Sequence, residues 1–138
     1  MKILFLFFAL ASMLLVSCQN NLSEEQLFVE TMEIHDAVMP QMQVVYQLKK
    51  ELTAKRDSLE RTASNAQFKN EVEVRIEELS IANEDMMQWM RNFNAQFEGD
   101  ENISRDEYLQ SEKEKIQGVK TKIDLAIQNA QVTHSNMK

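Results

Sequence analysis

The chain has 138 residues, with 15 basic against 22 acidic side chains and a formal net charge of -7. An acidic chain of this size has no basic face to displace counterions from phosphates, so nucleic acid is not an expected partner, and its one cysteine rules out an internal disulfide. Two glycines and one proline leave little turn chemistry for hairpins, while abundant Glu, Lys, Gln, Leu, Met and Ala predict an almost wholly helical protein.

The amino end carries an address. Lys2 supplies a positive start, Ile3 to Val16 an apolar run, and small Ser17 stands before Cys18, which is the order of a secretory signal peptide over residues 1–17. The apolar run is well short of the roughly 20 residues that span a bilayer, so a retained transmembrane helix is the weaker reading. Leu15-Val16-Ser17-Cys18 resembles the bacterial lipobox. That resemblance implies a diacylglycerol on the Cys18 thiol, cleavage before it, and acylation of the new amino terminus. One acyl chain holds weakly, at about 0.8 kcal/mol per buried methylene, whereas two or three on one residue anchor stably. Gln19 in place of Asp favours the outer membrane, by analogy with Gram-negative sorting rules. Residues 18–22 read as a lipidated tether. At about 3.5 Å per residue its reach is no more than about 17 Å, which keeps the folded part close to the membrane.

Three amphipathic stretches follow, each opened by a capping-box pattern. Ser23-Glu24-Glu25-Gln26 starts the first, whose apolar stripe is expected at Phe28, Met32, His35, Met39, Met42, Val45, Leu48 or Lys49, and Leu52, ending near Arg61. Pro40 lies inside it and predicts a kink, or two helices abutting at Met39 and Pro40. Ser64-Asn65-Ala66-Gln67 starts the second, with Phe68, Val72, Ile76, Leu79, Asn83, Met86, Met90, Phe93 and Phe97 on one face and a stop before Gly99. The break at 62–65 holds neither glycine nor proline, so one continuous helix through it is the alternative. Ser104-Arg105-Asp106-Glu107 starts the third, with Tyr108 or Leu109, Glu112, Ile116, Val119, Ile123, Ala126 or Ile127, and Ala130. Short connections favour antiparallel neighbours. The expectation is an all-α, up-down-up three-helix bundle over residues 23–134, its first helix kinked at Pro40, with 135–138 as a frayed tail.

Turn-centred register brings Met39 and Met42 level with Met86 and Met90, and Glu112 level with Trp89. Six methionines, Met32, Met39, Met42, Met86, Met87 and Met90, then gather in one segment with His35 on the Met39 and Met42 face. Three readings fit. Soft thioethers with an imidazole suit Cu(I), using His35, Met39, Met42, Met86 and Met90; haem fits less well, since no C-x-x-C-H attachment sequence exists. The commoner reading is a core in which flexible methionines fill space around the proline and Trp89. The third is an adaptable partner surface, with Met87 and Trp89 as its candidates, because Met86, Met87, Trp89 and Met90 cannot all face one way. His35 on its own is expected to pair with a carboxylate such as Glu112. Acidic neighbours Glu30, Glu33, Asp36, Glu84 and Asp85 read as a solvated face rather than a hard-ion site.

No glycine-rich phosphate loop, nucleophile context or paired catalytic residues are visible, so no enzyme and no cofactor is expected. His35-Asp36-Ala37-Val38-Met39-Pro40-Gln41-Met42, Met86-Met87-Gln88-Trp89-Met90-Arg91-Asn92-Phe93 and the Tyr108 to Val119 stretch together resemble small helical lipoproteins of Bacteroidota, often labelled "viral A-type inclusion protein". Relatives often carry an acidic residue at the place of Ala37 and a lysine at that of Gln41. The resemblance implies an all-helical fold and an envelope location, and no activity. A non-enzymatic interaction or structural module with an envelope protein partner is therefore the leading expectation, and a periplasmic-side copper-handling lipoprotein the second.

Overall fold

The computed structural model describes residues 23–62 and 66–136. The expected signal peptide, Cys18 with its tether, the Ser64-Asn65 half of the second capping box and Met137 lie outside those residues. Three helices account for most of the rest: α1 (Glu24–Thr62), α2 (Ala66–Asn92) and α3 (Arg105–Ser135), with every pair in contact. No helix among the described residues is long and apolar enough to cross a membrane.

Named pairs fix the direction of each helix. Lys113 meets Glu30 at 2.5 Å and His134 meets Glu51 at 3.3 Å, so α1 and α3 run parallel. Lys69 reaches Glu60 at 3.0 Å near one end of α2, while Phe93 stacks with Phe28 at 6.4 Å near the other, so α1 and α2 are antiparallel. Lys122 to Asp85 at 2.6 Å and Asn129 to Glu78 at 3.2 Å make α2 and α3 antiparallel as well. The expected up-down-up bundle is what the chain forms, and the reversal between Thr62 and Ala66 replaces the alternative of one continuous helix.

The core is a heptad seam. Leu27, Thr31, Val38, Val45, Leu48 and Leu52 of α1, Val72, Leu79, Ala82, Met86 and Trp89 of α2, and Leu109, Glu112, Ile116, Ile123, Ala126, Ala130 and Thr133 of α3 are buried. Ile34 packs partly against them. Steps alternate between three and four residues, the repeat that keeps one stripe facing its partners in a left-handed supercoil.

That repeat corrects the expected stripe in the first half of α1, where the seam runs through Leu27, Thr31, Ile34 and Val38 instead of Phe28, Met32, His35 and Met39. A straight 3.6-residue stripe drifts by about 20° per heptad relative to a supercoiled one, and threonine is a poor advertisement for a core position. Thr31 is nevertheless satisfied there, since its hydroxyl donates to the Leu27 carbonyl at 2.7 Å. In α2 the same phase buries Ala82 and leaves Asn83 exposed. Pro40 lies on the exposed side of α1, which continues through it as one helix and not as two abutting ones. The carbonyl that loses its amide partner there belongs to Asp36, an exposed residue, where water can replace the amide without ending the helix.

Helix α2 ends at Asn92 rather than near Phe97. Past that point the Asn94 amide donates to the Tyr108 hydroxyl at 2.7 Å, and the Asn94 side-chain oxygen accepts the Gln96 amide at 3.1 Å, drawing both amides out of the helical ladder. The loop back is tightly built. Gly99 takes φ +93°, Asp100 accepts the amides of Asn102 and Ile103 at 2.7 and 3.1 Å, and the Arg105 guanidinium donates to the carbonyl of Phe97. Ser104 and Glu107 form the expected capping box: the Ser104 amide and hydroxyl donate to the Glu107 carboxylate at 3.0 and 2.8 Å. Those bonds hold the Glu107 carboxyl below its usual value, the amide contributing most. The Ser23 box is present too, with Ser23 N–H to Gln26 Oε1 at 2.9 Å and Gln26 N–H to Ser23 Oγ at 3.2 Å.

At the carboxyl end α3 continues to Ser135, the first residue of the expected frayed tail. Thr133 is buried and donates to Glu71 at 2.8 Å. These ties to α2 and α1 hold the last turn.

Candidate functional site

The heptad phase places the sequence-predicted residues on two different sides of the bundle wall. Phe28, His35 and Met42 occupy the row next to the α1 seam, and their ring contacts with α2 show which way it points: Phe28 with Phe93, and His35 with Trp89 at 5.9 Å. Met32, Met39 and Tyr46 form the next row out. On α2 the matching rows hold Lys69, Ile76, Asn83 and Met90, then Ser80 and Met87, and the Lys69–Glu60 pair shows that they face α1. Met32, His35, Met39, Met42, Met87 and Met90 therefore line one outer groove between α1 and α2. The register of the His35–Trp89 and Glu60–Lys69 pairs sets Met39 level with Met87, and His35 level with Met90.

Burial grades across this groove. Met86 is fully buried, Met42 and Met90 pack partly against the core, and Met39 and Met87 are 39% and 41% exposed. Met32 is half-buried. Trp89, expected beside Met87 as a candidate surface residue, instead lies in the core, at 6% exposure and stacked on Phe93 at 4.8 Å. It belongs to an aromatic column of Trp89, Phe93, Tyr108 and Phe97 that ties α2 to the loop and to α3. The methionines that share the face are thus presented to solvent in part, and a row of flexible, polarisable thioethers is a surface that adapts to what it meets.

His35 is oriented by its neighbour and not by Glu112. Its Nδ1 lies 2.8 Å from the Asp36 carboxylate. An ionised carboxylate only accepts, so Nδ1 carries the hydrogen, and a neutral ring then keeps its lone pair on Nε2. Glu112 is buried and accepts instead from Lys115 at 2.6 Å. Among the described residues no group of three or more His, Cys, Asp or Glu side chains is placed to hold a metal ion; Glu33, Asp36 and Glu84 are exposed.

Two features had weak sequence signals. Tyr46, 64% exposed, extends the methionine row, and its place follows only once the heptad phase is fixed. Arg105 pairs with Glu24 at 3.7 Å while it clamps the loop; at a helix start it reads as an ordinary surface charge. The fold and the groove define a small acidic helical bundle with a methionine-lined face. No protein-family model, curated protein or solved structure matches the chain.

Proposed function

We propose that this chain is a lipid-anchored protein of the bacterial cell envelope, held through Cys18 and without catalytic activity, whose bundle docks an envelope protein on the methionine face. The half-exposed row of Met39, Met87 and Tyr46 carries the reading: large apolar side chains are left at the surface along one groove, where scattered single exposures would need no explanation. The Lys2, Ile3–Val16, Ser17-Cys18 order and the lipoprotein resemblance support the anchor, and Gln19 supports the outer membrane. The reading predicts that Cys18→Ser moves the protein from the membrane to the soluble fraction of the producing bacterium. It also predicts that a photo-crosslinking residue at Met39 or Met87 traps one discrete envelope protein, while one at Gln117, on exposed α3, does not. Equal trapping from both places would refute the docking role.

A second reading, Cu(I) handling, draws on His35. An imidazole whose Nδ1–H is held by a carboxylate and whose Nε2 is left as an acceptor is the usual state of a metal-bound histidine, and Met39, Met42 and Met90 share its face. Competition with a Cu(I) chelator tests it: one-to-one binding lost in a folded His35→Ala, Met39→Leu, Met90→Leu variant supports it, and no competition refutes it.

A further inference from the structure

Four large apolar side chains lie exposed on the other side of α2, away from the methionine face. Val74 and Ile81 of α2 are each 49% exposed, and Leu125 and Val132 of α3 are 52% and 57% exposed. Each pair is spaced by seven residues, so each forms a straight row on its helix. The contacts of Asp85 with Lys122 and of Glu78 with Asn129 set Ile81 across from Leu125 and Val74 across from Val132. Ile81, Leu125, Ala82 and Ala126 line a shallow groove together with the polar Glu78, Lys122 and Asn129. Further along the same rows a Cβ added to Gly118 would meet nothing within 4 Å, so the face stays open there.

We propose that this face docks the same face of a second copy, about a twofold axis parallel to the helices. Charge selects both occupant and orientation. With that axis, α2 of one copy lies antiparallel on α3 of the other at unchanged height. The flanking rows then oppose Glu77 with Gln128, Glu84 with Thr121, and Arg91 with Glu114: no like charges meet in these rows, and Arg91, which pairs with Glu84 of its own copy at 2.5 Å, gains a second carboxylate opposite it, twice over. Turning the axis across the helices lays α2 antiparallel on its own copy: centred on Ile81 it sets Glu77 against Glu84 of the other copy, twice over, and centred between Val74 and Ile81 it sets Glu77 against its own copy, which like-charge repulsion opposes. The area is sufficient as well. Two adjacent helices, each about 10 Å wide and about 40 Å long, offer on the order of 800 Å² per copy, a standard footprint for a stable complex. The parallel arrangement also leaves both amino ends at one pole, as two anchors in one membrane require.

The surface is distinct from the methionine face and is tested separately. Residues 18–138 with Cys18→Ser keep every described residue and are examined by sedimentation equilibrium from about 1 to 200 µM. The expected result is a monomer–dimer equilibrium, weakened roughly tenfold or more by Ile81→Glu, a central apolar contact, with circular dichroism unchanged. Arg91→Glu and Glu114→Arg each weaken it, and the double swap recovers it; within one copy these two side chains point away from each other, so recovery reports contact between copies. A monomer throughout the range, a dimer indifferent to Ile81→Glu, or single swaps that are not rescued by the double swap would each overturn the proposal.

Discussion

Gln41 sits in the α1 seam between Val38 and Val45, three residues after one and four before the other, and its side-chain Oε1 is buried without a hydrogen-bond partner among the described residues. A buried acceptor left unpaired costs about 1–3 kcal/mol relative to one solvated in the unfolded chain. Gln41→Leu removes that acceptor, keeps a side chain of similar reach, and adds apolar contact at the level of Met86 and Ile123. Against this stands the solvation that Gln41, only part-buried as a residue, would lose with its amide. The net expectation is a stabilisation of about 1–2 kcal/mol. For a domain near 100 residues, 1 kcal/mol moves the melting temperature by roughly 4–8 °C, so a rise of about 4–16 °C follows. Urea unfolding followed by far-UV circular dichroism reads it as a higher midpoint at an unchanged slope. Gln43→Leu, two residues along on an exposed position, is the control and stays within about 0.5 kcal/mol of the parent. A Gln41→Leu protein no more stable than the parent would refute the assignment of Gln41 to the seam with an unsatisfied oxygen.

The methionines divide by face, so Met86→Ala, which empties a fully buried site, is expected to cost about 2–5 kcal/mol, while Met39→Ala changes stability by about 0.5 kcal/mol or less; equal losses in chemical denaturation would place both in the core. Gly99→Ala forces a side chain into φ +93° and sets its Cβ 3.2 Å from the Arg105 nitrogen and the Ile103 oxygen, and a loss of about 1–2 kcal/mol is expected in the same assay. Ser104→Ala removes a cap worth about 1 kcal/mol, and amide hydrogen exchange should locate the loss in the first turn of α3. The bonds from Ser104 lower the Glu107 carboxyl in the folded state, so their contribution is complete above the ordinary carboxylate range and is lost as pH falls through the lower folded value. The first turn of α3 should therefore loosen in acid, and Glu107→Gln, which keeps an acceptor without the titration, should show less of that dependence.

Helix number, direction and the α3 seam were legible because α3 spells its core in unambiguous residues: Leu109, Ile116, Ile123 and Ala130 recur at intervals of seven. The amino half of α1 misled by one residue because its seam includes Thr31 and Gln41, both polar, while the two rows beside it hold Phe28, Met32 and Met39, all apolar. Hydrophobicity alone then favours the wrong row, and only the repeat carried back from Val45, Leu48 and Leu52 corrects it. The end of α2 was hidden for a different reason: the only local signal is the Asn94 side chain turning back onto the Gln96 amide, and the bond that withdraws the Asn94 amide comes from Tyr108 across the loop. The methionine cluster was legible as a group, but its division into one buried sulfur and five on a groove needed the phase.

The bundle has three outer grooves, and its exposed large hydrophobics are not spread evenly among them. Of the eight among the described residues, Met39, Tyr46 and Met87 flank the α1–α2 groove, Val74, Ile81, Leu125 and Val132 flank the α2–α3 groove, and Val29 stands apart on α1. Among the described residues none flanks the α1–α3 groove, where Lys113 meets Glu30 and His134 meets Glu51. That asymmetry is what the two proposed contact faces would produce, with the third side left to water. Because α2 meets the two apolar grooves with opposite flanks, docking on one does not cover the other. A dimer closed through Ile81 and Leu125 still presents both methionine faces outward. Ile81→Glu should therefore abolish self-association while leaving crosslinks from Met87 intact, and Met87→Lys should do the reverse. Loss of both activities in either variant would show that the two faces are one surface, and the separation argued from the heptad phase would fail.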